Sequence, residues 1–459
     1  MAGKRDQLQA HRFLVQRVIT ALVTQEADPE HAPLRRLSRA AAGSIVLAVL
    51  IVAGWAAYGL VVPGGNRAWR TGDAVIVVKE TGARYVYVDG RLHPVLNYTS
   101  ALLALGRHAP TRSVSWRSLA DVPRGPRIGI ADAPDALPPA GEILNSGWSL
   151  CSAPDGDSVL LAGTEPAGGR PLGDTALLVA VPGGGDQYLV WHGHRHRIRA
   201  ADAVPAGLAL RTQARTRVGP AVVDVLPDGD PIAPIPVPDA GQPFAPLPRL
   251  RLGQVAVAGD GVQHYLVTAD GLRPISVLQS DIQLAYPPTA RAYPGSDPAA
   301  VPLSLTAAAG ARMAGEAAAS PAPAPAQRPA LTGPAETVCV SYDPGETTPR
   351  VRVGAALPPA GATVPTSGRT AAGLPLAGRV FLPPGRAALV EVVAGDPAAT
   401  GTLILVTDQG RGYPLAGPEV LGVLGYEGKK PARLPAGLVT RVPLGSVLDP
   451  AAARVPAAG

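Results

Sequence analysis

Lysine is nearly missing from this chain of 459 residues: Lys4, Lys79, Lys429 and Lys430 are all it has. None of the four stands in a G-x-x-x-x-G-K-[ST] frame, so the sequence offers no P-loop phosphate cradle. Gly428-Lys429-Lys430 comes nearest, but it lacks the hydroxyl that would hold magnesium and runs into Pro431. H-E-x-x-H and G-x-S-x-G are absent too, which removes the common zinc-protease and serine-hydrolase frames. Aromatic residues make up 4% of the chain. Its cores must therefore be built from Val, Leu, Ile and Ala, and several modest cores are expected rather than one large one. Nor is charge of one sign concentrated. Residues 1 to 40 hold 7 basic and 4 acidic side chains and the remainder hold 34 and 31, whereas a nucleic-acid binder gathers a basic stripe.

Glycine (53) and proline (51) are abundant, a composition that fits short strands joined by many turns. One apolar run interrupts it. Residues 41 to 62 (AAGSIVLAVLIVAGWAAYGLVV) carry no charge, and at about 1.5 Å per residue they span a hydrocarbon layer of about 30 Å. Trp55 and Tyr58 fall at headgroup level, and Pro63-Gly64-Gly65 ends the helix. Arg35, Arg36 and Arg39 precede the run, so the positive-inside rule places the N-terminus in the cytoplasm and the main domain outside it. A cleaved signal peptide would need a shorter n-region and a shorter apolar stretch.

Ahead of the span, residues 5 to 23 place Leu14, Val15, Val18, Leu22 and Val23 at helical spacing, with Arg12, Gln16 and Arg17 opposite. This predicts an amphipathic helix whose stripe lies on the inner leaflet or docks on a partner, ended by Asp28-Pro29 and Ala32-Pro33.

Beyond the span, four segments share one plan of strand, turn, strand, tight turn and a Pro-hydrophobic close: 75 to 96, 176 to 199, 254 to 277 and 388 to 416. The expected pairings are Tyr85 with Pro94, Tyr188 with Arg197, Tyr265 with Pro274 and Leu405 with Pro414. The tight turns are read as Asp89-Gly90, His192-Gly193, Asp270-Gly271 and Gln409-Gly410, where glycine supplies a positive φ. Mildly helical stretches follow at 96 to 106, 276 to 286 and 416 to 426. The spacing between units is uneven, and each of the two insertions holds one of the two cysteines, Cys151 and Cys339. A repeat pair with an insertion on each side points to pseudo-twofold symmetry, the two insertions packing as one central domain. Exported thiols are not kept reduced, so the pair is read as one disulfide closing 188 positions, the alternative being two buried free thiols. Residues 232 to 249 and 315 to 330 are proline-rich, and the second, almost wholly Ala-Pro, is expected to be an extended, semi-rigid connector or a mobile surface loop.

His192, His194 and His196 form the one cluster with metal-like spacing, but no further ligand accompanies them, and an exposed polar turn is the better reading. Asp155 and Asp157 lie in a Gly/Pro turn and bond local backbone. No catalytic, cofactor-binding or metal residue is assigned.

Several of these stretches resemble the EccB family, a membrane component of the type VII (ESX) secretion system of actinobacteria. They are RDQLQAHRFLVQRVITALV (5 to 23) with EADPEHAPLRR (26 to 36), YVYVDGRLHPVLNYTSALLALG (85 to 106), the cysteines, FLPPGRAALVEVV (381 to 393) and LPAGLVTRVPLGSVLDPAAA (434 to 453). Ser446 departs from the family's usual proline after glycine, which touches only a turn. The resemblance implies an extracytoplasmic domain of four repeat modules around a disulfide-bearing central β domain, mainly β with short helices (α+β). It also implies assembly with an EccC-like FtsK/SpoIIIE-type ATPase, with EccD and EccE, near a mycosin protease, in export of small WXG-type proteins. Self-association, the membrane and the cell wall join the expected contacts, and nucleic acid does not. The leading function is a structural subunit of the secretion complex. A peptidoglycan-binding module is the alternative, along with the ATPase activity sometimes ascribed to the family, for which no residue can be carried over.

The expected division is 1 to 40 cytoplasmic, 41 to 62 transmembrane, and 63 to 110 the first module. A central domain takes 111 to 170 and 336 to 385. The second and third modules take 171 to 250 and 251 to 310, an Ala/Pro linker 311 to 335, and the fourth module 386 to 430. Residues 431 to 459 are expected to return to the central domain.

Overall fold

The computed structural model describes residues 3–24, 34–61, 68–199, 203–259, 261–315, 320–393 and 401–457. The residues expected to break the chain at Pro29, Pro33 and Pro63 lie outside the described residues. The fold mixes α and β, with five sheets and mostly short helices among the described residues. It divides into two units: Met1–Thr71 with Val77–Gly82 and Arg112–Val122, and Gly72–Ile76 with Ala83–Thr111 and Pro123–Gly459.

The first unit carries helix α1 (Lys4–Thr24) and helix α2 (Leu34–Val61). The second helix begins seven residues before the uncharged run, because the arginine segment has good helix formers and no breaker. In the same unit the Lys79 N–H donates to Val114 O, and the Trp116 N–H to a Glu80 carboxylate oxygen at 2.9 Å.

In the second unit, three sheets follow one rule. A three-strand antiparallel meander runs first, and then a later strand pairs in parallel with its first strand. In the second sheet Leu177–Ala180, Gln187–Trp191 and His194–Arg197 form the meander and Thr216–Arg217 is the parallel strand. In the third these are Val255–Ala258, His264–Thr268 and Gly271–Ile275, then Val301–Leu303. In the fourth they are Ala387–Val393, Thr402–Thr407 and Gly412–Pro414, then Ala432–Pro435. The first hairpin, Arg84–Val88 with Arg91–Pro94, has the same antiparallel register.

Tyr85, Tyr188 and Tyr265 face Pro94, Arg197 and Pro274, the pairings read from sequence. In the fourth hairpin Pro414 faces Ile404 instead, and Leu405 faces Tyr413. The reason is the turn. Asp89-Gly90 and His192-Gly193 are two-residue turns with positive φ at both positions. The fourth turn places three residues, 408 to 410, between Thr407 and Arg411, whose backbones are hydrogen-bonded, and the extra residue shifts the register by one. The third turn is also corrected: Thr268 pairs with Gly271, so the turn is Ala269-Asp270 and Gly271 begins the returning strand. Glycine is needed there for another reason, since a Cβ on it would sit 2.2 Å from Arg312 O.

Of the three expected helical stretches, Tyr98–Leu105 is capped by the Asn97 side chain accepting from the Ser100 N–H, and Val277–Ala285 likewise by Ser276. The last shrinks to Val420–Leu424, ended by Gly425 in the left-handed region. The described residues of the Ala/Pro-rich segment are tied to the sheets and helices by backbone bonds. Ala326 O accepts from Leu278 and Ala330 O from Ala176, while the Thr332 N–H donates to Ala176 O.

A fifth, seven-stranded sheet draws Trp148–Ser152, Ser158–Leu161 and Ala167–Pro171 from one stretch of chain and Val338–Tyr342, Arg350–Ala356, Val364–Pro365 and Arg379–Phe381 from another. One of its faces, with Leu150, Leu160 and Val340, is buried in a core shared with Val179 and Val222 near the second sheet and Val390 and Leu434 of the fourth. The first and fourth sheets share a second core through Val86, Leu102, Leu389 and Leu405. The second sheet and the Val277–Ala285 helix share a third through Leu189, Leu208, Leu278 and Ile282.

Candidate functional site

The apolar segment of α2 from Arg39 to Tyr58 has a mean hydropathy of 2.2, and none of its residues is buried. Among the described residues it is the one helix long and apolar enough to cross a membrane. Leu47, Leu50 and Ile51 expose better than half their surface, which would be costly in water. Its one hydroxyl-bearing residue before the aromatics, Ser44, is satisfied internally, donating to Ala40 O at 2.6 Å. Trp55 and Tyr58 pack edge to face at 6.3 Å one turn apart. Arg39 is exposed at the start of this stretch, whereas the side chains of Arg35 and Arg36 lie outside the described residues. On α1 the stripe is broader than the sequence reading had it: Leu8 and Ile19 join Leu14, Val15, Val18 and Leu22, all exposed.

Cys151 and Cys339 are bonded, with both residues fully buried. They face each other across the antiparallel strands Trp148–Ser152 and Val338–Tyr342. Two positions along on the same side, the hydroxyls of Ser149 and Ser341 share a hydrogen bond of 2.7 Å. The two stretches of chain are thus joined in one sheet by a covalent bond, a polar bond and a ladder.

The three histidines of the cluster do not converge. His192 occupies the turn with φ +46, stacks on Trp191 and pairs with Asp174 at 3.1 Å. The Nδ1 of His194 lies 2.9 Å from His192 O. His196 is 1% exposed, so the expected exposed turn does not extend to it. Its Nδ1 lies 2.9 Å from Asp230 O, and its pKa is lowered, chiefly by burial. The turn acids behave as read: the Asp157 N–H donates to Asp155, and Arg379 takes Asp157 at 3.0 Å.

A cleft of about 330 Å³ opens beside the central sheet, lined by Val225, Leu226, Tyr342, Leu434 and the acids Asp224 and Glu346. Its polar groups are largely engaged. The Tyr342 hydroxyl donates to Val225 O at 2.6 Å and burial pushes its pKa well above the usual phenol range. Asp224 is held by Arg195, which also pairs with Asp228. Such groups fix the junction of sheets rather than offer a free acid or base.

Sequence reasoning missed one element. Farther along, the chain returns to the third strand of each hairpin: Leu92 bridges Arg124, Arg195 bridges Asp228, Leu272 bridges Met313 and Gly412 bridges Leu444. The signal was present as Val122-Pro123-Arg124-Gly125, Leu226-Pro227-Asp228-Gly229 and Val442-Pro443-Leu444-Gly445. In each, a ring lies on the glycine: a Cβ would come within 2.1 Å of His93, 2.3 Å of His196 and 2.6 Å of Tyr413.

Residues 2–458 match the family described as "Type VII secretion system ESX-1, transport TM domain B" (EccB). The chain is 30% identical over 483 residues to the ESX-3 secretion system ATPase EccB3 of Mycolicibacterium smegmatis, covering 97% of this chain and 89% of that protein. It is 33% identical over 298 residues to the ESX-2 secretion system ATPase EccB2 of Mycobacterium tuberculosis, covering 61% of this chain and 58% of the length of that relative. Its fold matches a chain of an intact ESX-5 inner membrane complex with a TM-score of 0.64 at 26% identity, covering 100% of this chain and 96% of that one.

Proposed function

The chain belongs to the EccB family of the type VII secretion system, and from that premise we propose that it is a structural, membrane-anchored subunit of an ESX secretion complex. One observation carries the reading: a chain of an ESX inner membrane complex is matched along essentially its whole length, unburied apolar helix included. In this reading α2 crosses the membrane once, with Arg35, Arg36 and Arg39 holding the N-terminus in the cytoplasm and the sheets outside. The exposed stripe of α1 then meets the cytoplasmic machinery, an EccC-like motor ATPase with EccD and EccE, while the outer part stands near a mycosin protease.

The outer part is read as four repeat modules in pseudo-twofold order around a central sheet stapled by Cys151 and Cys339. Supporting this are the common strand order of three sheets and the recurring return strand. Residues 111–128 and 432–448 are counted with the first and fourth modules rather than with the central domain. Backbone bonds of Leu92 with Pro123 and Gly125, and of Pro94 with Ile128, support the first assignment, and the pairing of Ala432–Pro435 with Ala387–Val393 supports the second. The relatives' names carry the word ATPase. Without a P-loop lysine and hydroxyl in its sequence, this chain is read as non-catalytic.

The test is affinity purification of the tagged full chain from native membranes in mild detergent. Recovery of an FtsK/SpoIIIE-like ATPase and a multi-span protein with the full chain, lost when residues 1–62 are removed, supports the reading. A full chain that elutes alone from secretion-competent cells overturns it.

A further inference from the structure

Two hairpins carry a histidine at the same place, and each imidazole lies in a slot floored by glycine. His93 Nδ1 is 3.0 Å from Pro126 O, and His196 Nδ1 is 2.9 Å from Asp230 O, the carbonyl one residue after the glycine in both cases. A carbonyl only accepts, so each neutral ring keeps its proton on Nδ1 and leaves Nε2 bare. The two differ in burial: His93 is half-buried, but His196 is 1% exposed.

The segment over His196 holds the second sheet to the third. The Gly229 N–H donates to Arg195 O and the Ile232 N–H to Arg197 O. Ile232 enters the core shared with Leu278 and Ile282. Beyond it the chain is clamped by two glutamines of the Val277–Ala285 helix. Gln279 donates to Ala233 O at 3.0 Å, while Gln283 accepts from the Ile235 N–H at 3.0 Å and donates to Ile235 O at 3.1 Å.

We infer that His196 is a proton-sensitive latch: a second proton on the ring drives it from the Gly229 slot and loosens residues 228–235, the strap between the second and third sheets. The charges around it make a cation poorly tolerated. On its own hairpin stand His192, His194, Arg195 and Arg197. Facing them on the strap are Asp228, taken by Arg195, and Asp230, whose carboxylate accepts from the Ser320 hydroxyl. Asp224, from the preceding helix end, is taken by Arg195 as well. Burial is the main cause that lowers the His196 pKa, and the neighbouring histidines add to it. The hydrogen bond at Asp230 and the Asp230 charge oppose them without prevailing. The sign follows: with the closed-state pKa below the open-state value of about 6.5, the open strap binds more protons, so closure is complete above that pH and is lost as pH falls below it.

The experiment is backbone hydrogen exchange on the full chain in detergent at about pH 7.5 and about pH 5.5, corrected for intrinsic rates. Protection of 228–235 should fall severalfold on acidification, and that of residues 124–128 over half-buried His93 should fall less. His196→Gln retains a donor for the Asp230 carbonyl without titrating, and His196→Phe puts a ring like that of Tyr413 in the slot. Both should change less than about twofold. A wild-type strap that responds no more than either variant, or no more than 124–128, overturns the latch. The comparison with 124–128 decides alone if neither variant folds.

Discussion

Cys151 and Cys339 lie directly opposite one another on neighbouring antiparallel strands, with Cα atoms 4.0 Å apart, although 188 positions of sequence separate them. The strands of the second and third sheets all lie within the loop they close. A cross-link of that span removes much of the unfolded chain's freedom, worth up to about 5 kcal/mol on the chain-entropy model. Cys151→Ala with Cys339→Ala should therefore lower stability by several kcal/mol, up to about that bound, seen as a fall in the denaturant midpoint of the sheet-bearing unit. The native protein should yield no reactive thiol even when unfolded without reductant, because the two sulfurs are bonded to each other. A variant with an unchanged midpoint would show the bond to be incidental.

Gly229→Ala separates sterics from backbone strain, since Gly229 is not among the glycines of positive φ. The added methyl would meet the His196 ring at 2.3 Å, and that ring is enclosed. Overpacking of this kind costs about 1 to 3 kcal/mol. Gly125→Ala makes the same clash with His93, but that half-buried ring can swing toward solvent, so its cost should be the smaller of the two. Thermal or denaturant unfolding of the paired variants measures the difference.

What was legible in the sequence was local. The hairpins around Tyr85, Tyr188 and Tyr265 could be registered because alternation and a two-residue turn fix which side chains meet. The fourth failed by one residue because Gln409-Gly410 looks the same in a two-residue or a three-residue turn, and only the Thr407 to Arg411 bond tells them apart. The return strands were invisible for a different reason. Arg124 meets Leu92 and Leu444 meets Gly412 across some 30 residues, and a bridge of a few residues has no periodicity to detect. Proline before and glycine after the bridging residue are its only mark. His196 was misjudged likewise: beside His192 and His194 it reads as surface, but its burial is imposed by Gly229 from far along the chain.

Asp132 supplies a pH-dependent tie between the returning strands of the first and fourth sheets. Burial alone would raise its pKa, but hydrogen bonds from Ser446 and the charge of Arg411 outweigh that and hold it below the ordinary value. The Ser446 N–H donates to it at 3.0 Å and Arg411 lies at 3.6 Å. A depressed carboxylate stabilises the fold above its unfolded pKa of about 4 and loses that contribution as pH falls through its folded value. Asp132→Asn should cost about 1 kcal/mol near neutrality, discounted for partial exposure, and progressively less in acid. Unfolding midpoints of wild type and variant across acid pH should converge; curves that stay parallel would remove Asp132 from the tie.

The proposed orientation makes the sharpest demand on the arginines before α2. Within some 15 to 20 residues of a span, lysine and arginine decide which end stays in the cytoplasm. On the N-terminal side that window holds Arg35, Arg36 and Arg39, and on the other side Arg67 and Arg70, with Lys79 at its outer edge. Changing the first three to Gln leaves the N-terminal window with no basic residue against those, and Lys4, Arg5, Arg12 and Arg17 remain only farther off, on α1. The wild-type chain should insert with its outer domain wholly external, so that protease added to intact spheroplasts digests the sheets and spares the N-terminus. In the triple variant a substantial fraction should become inverted, its outer domain protected and its disulfide unformed, because thiols facing the cytoplasm are kept reduced. Restoring Arg39 alone should recover part of the external fraction. A triple variant as fully external as wild type would shift the orienting role to α1 or to a partner that captures it.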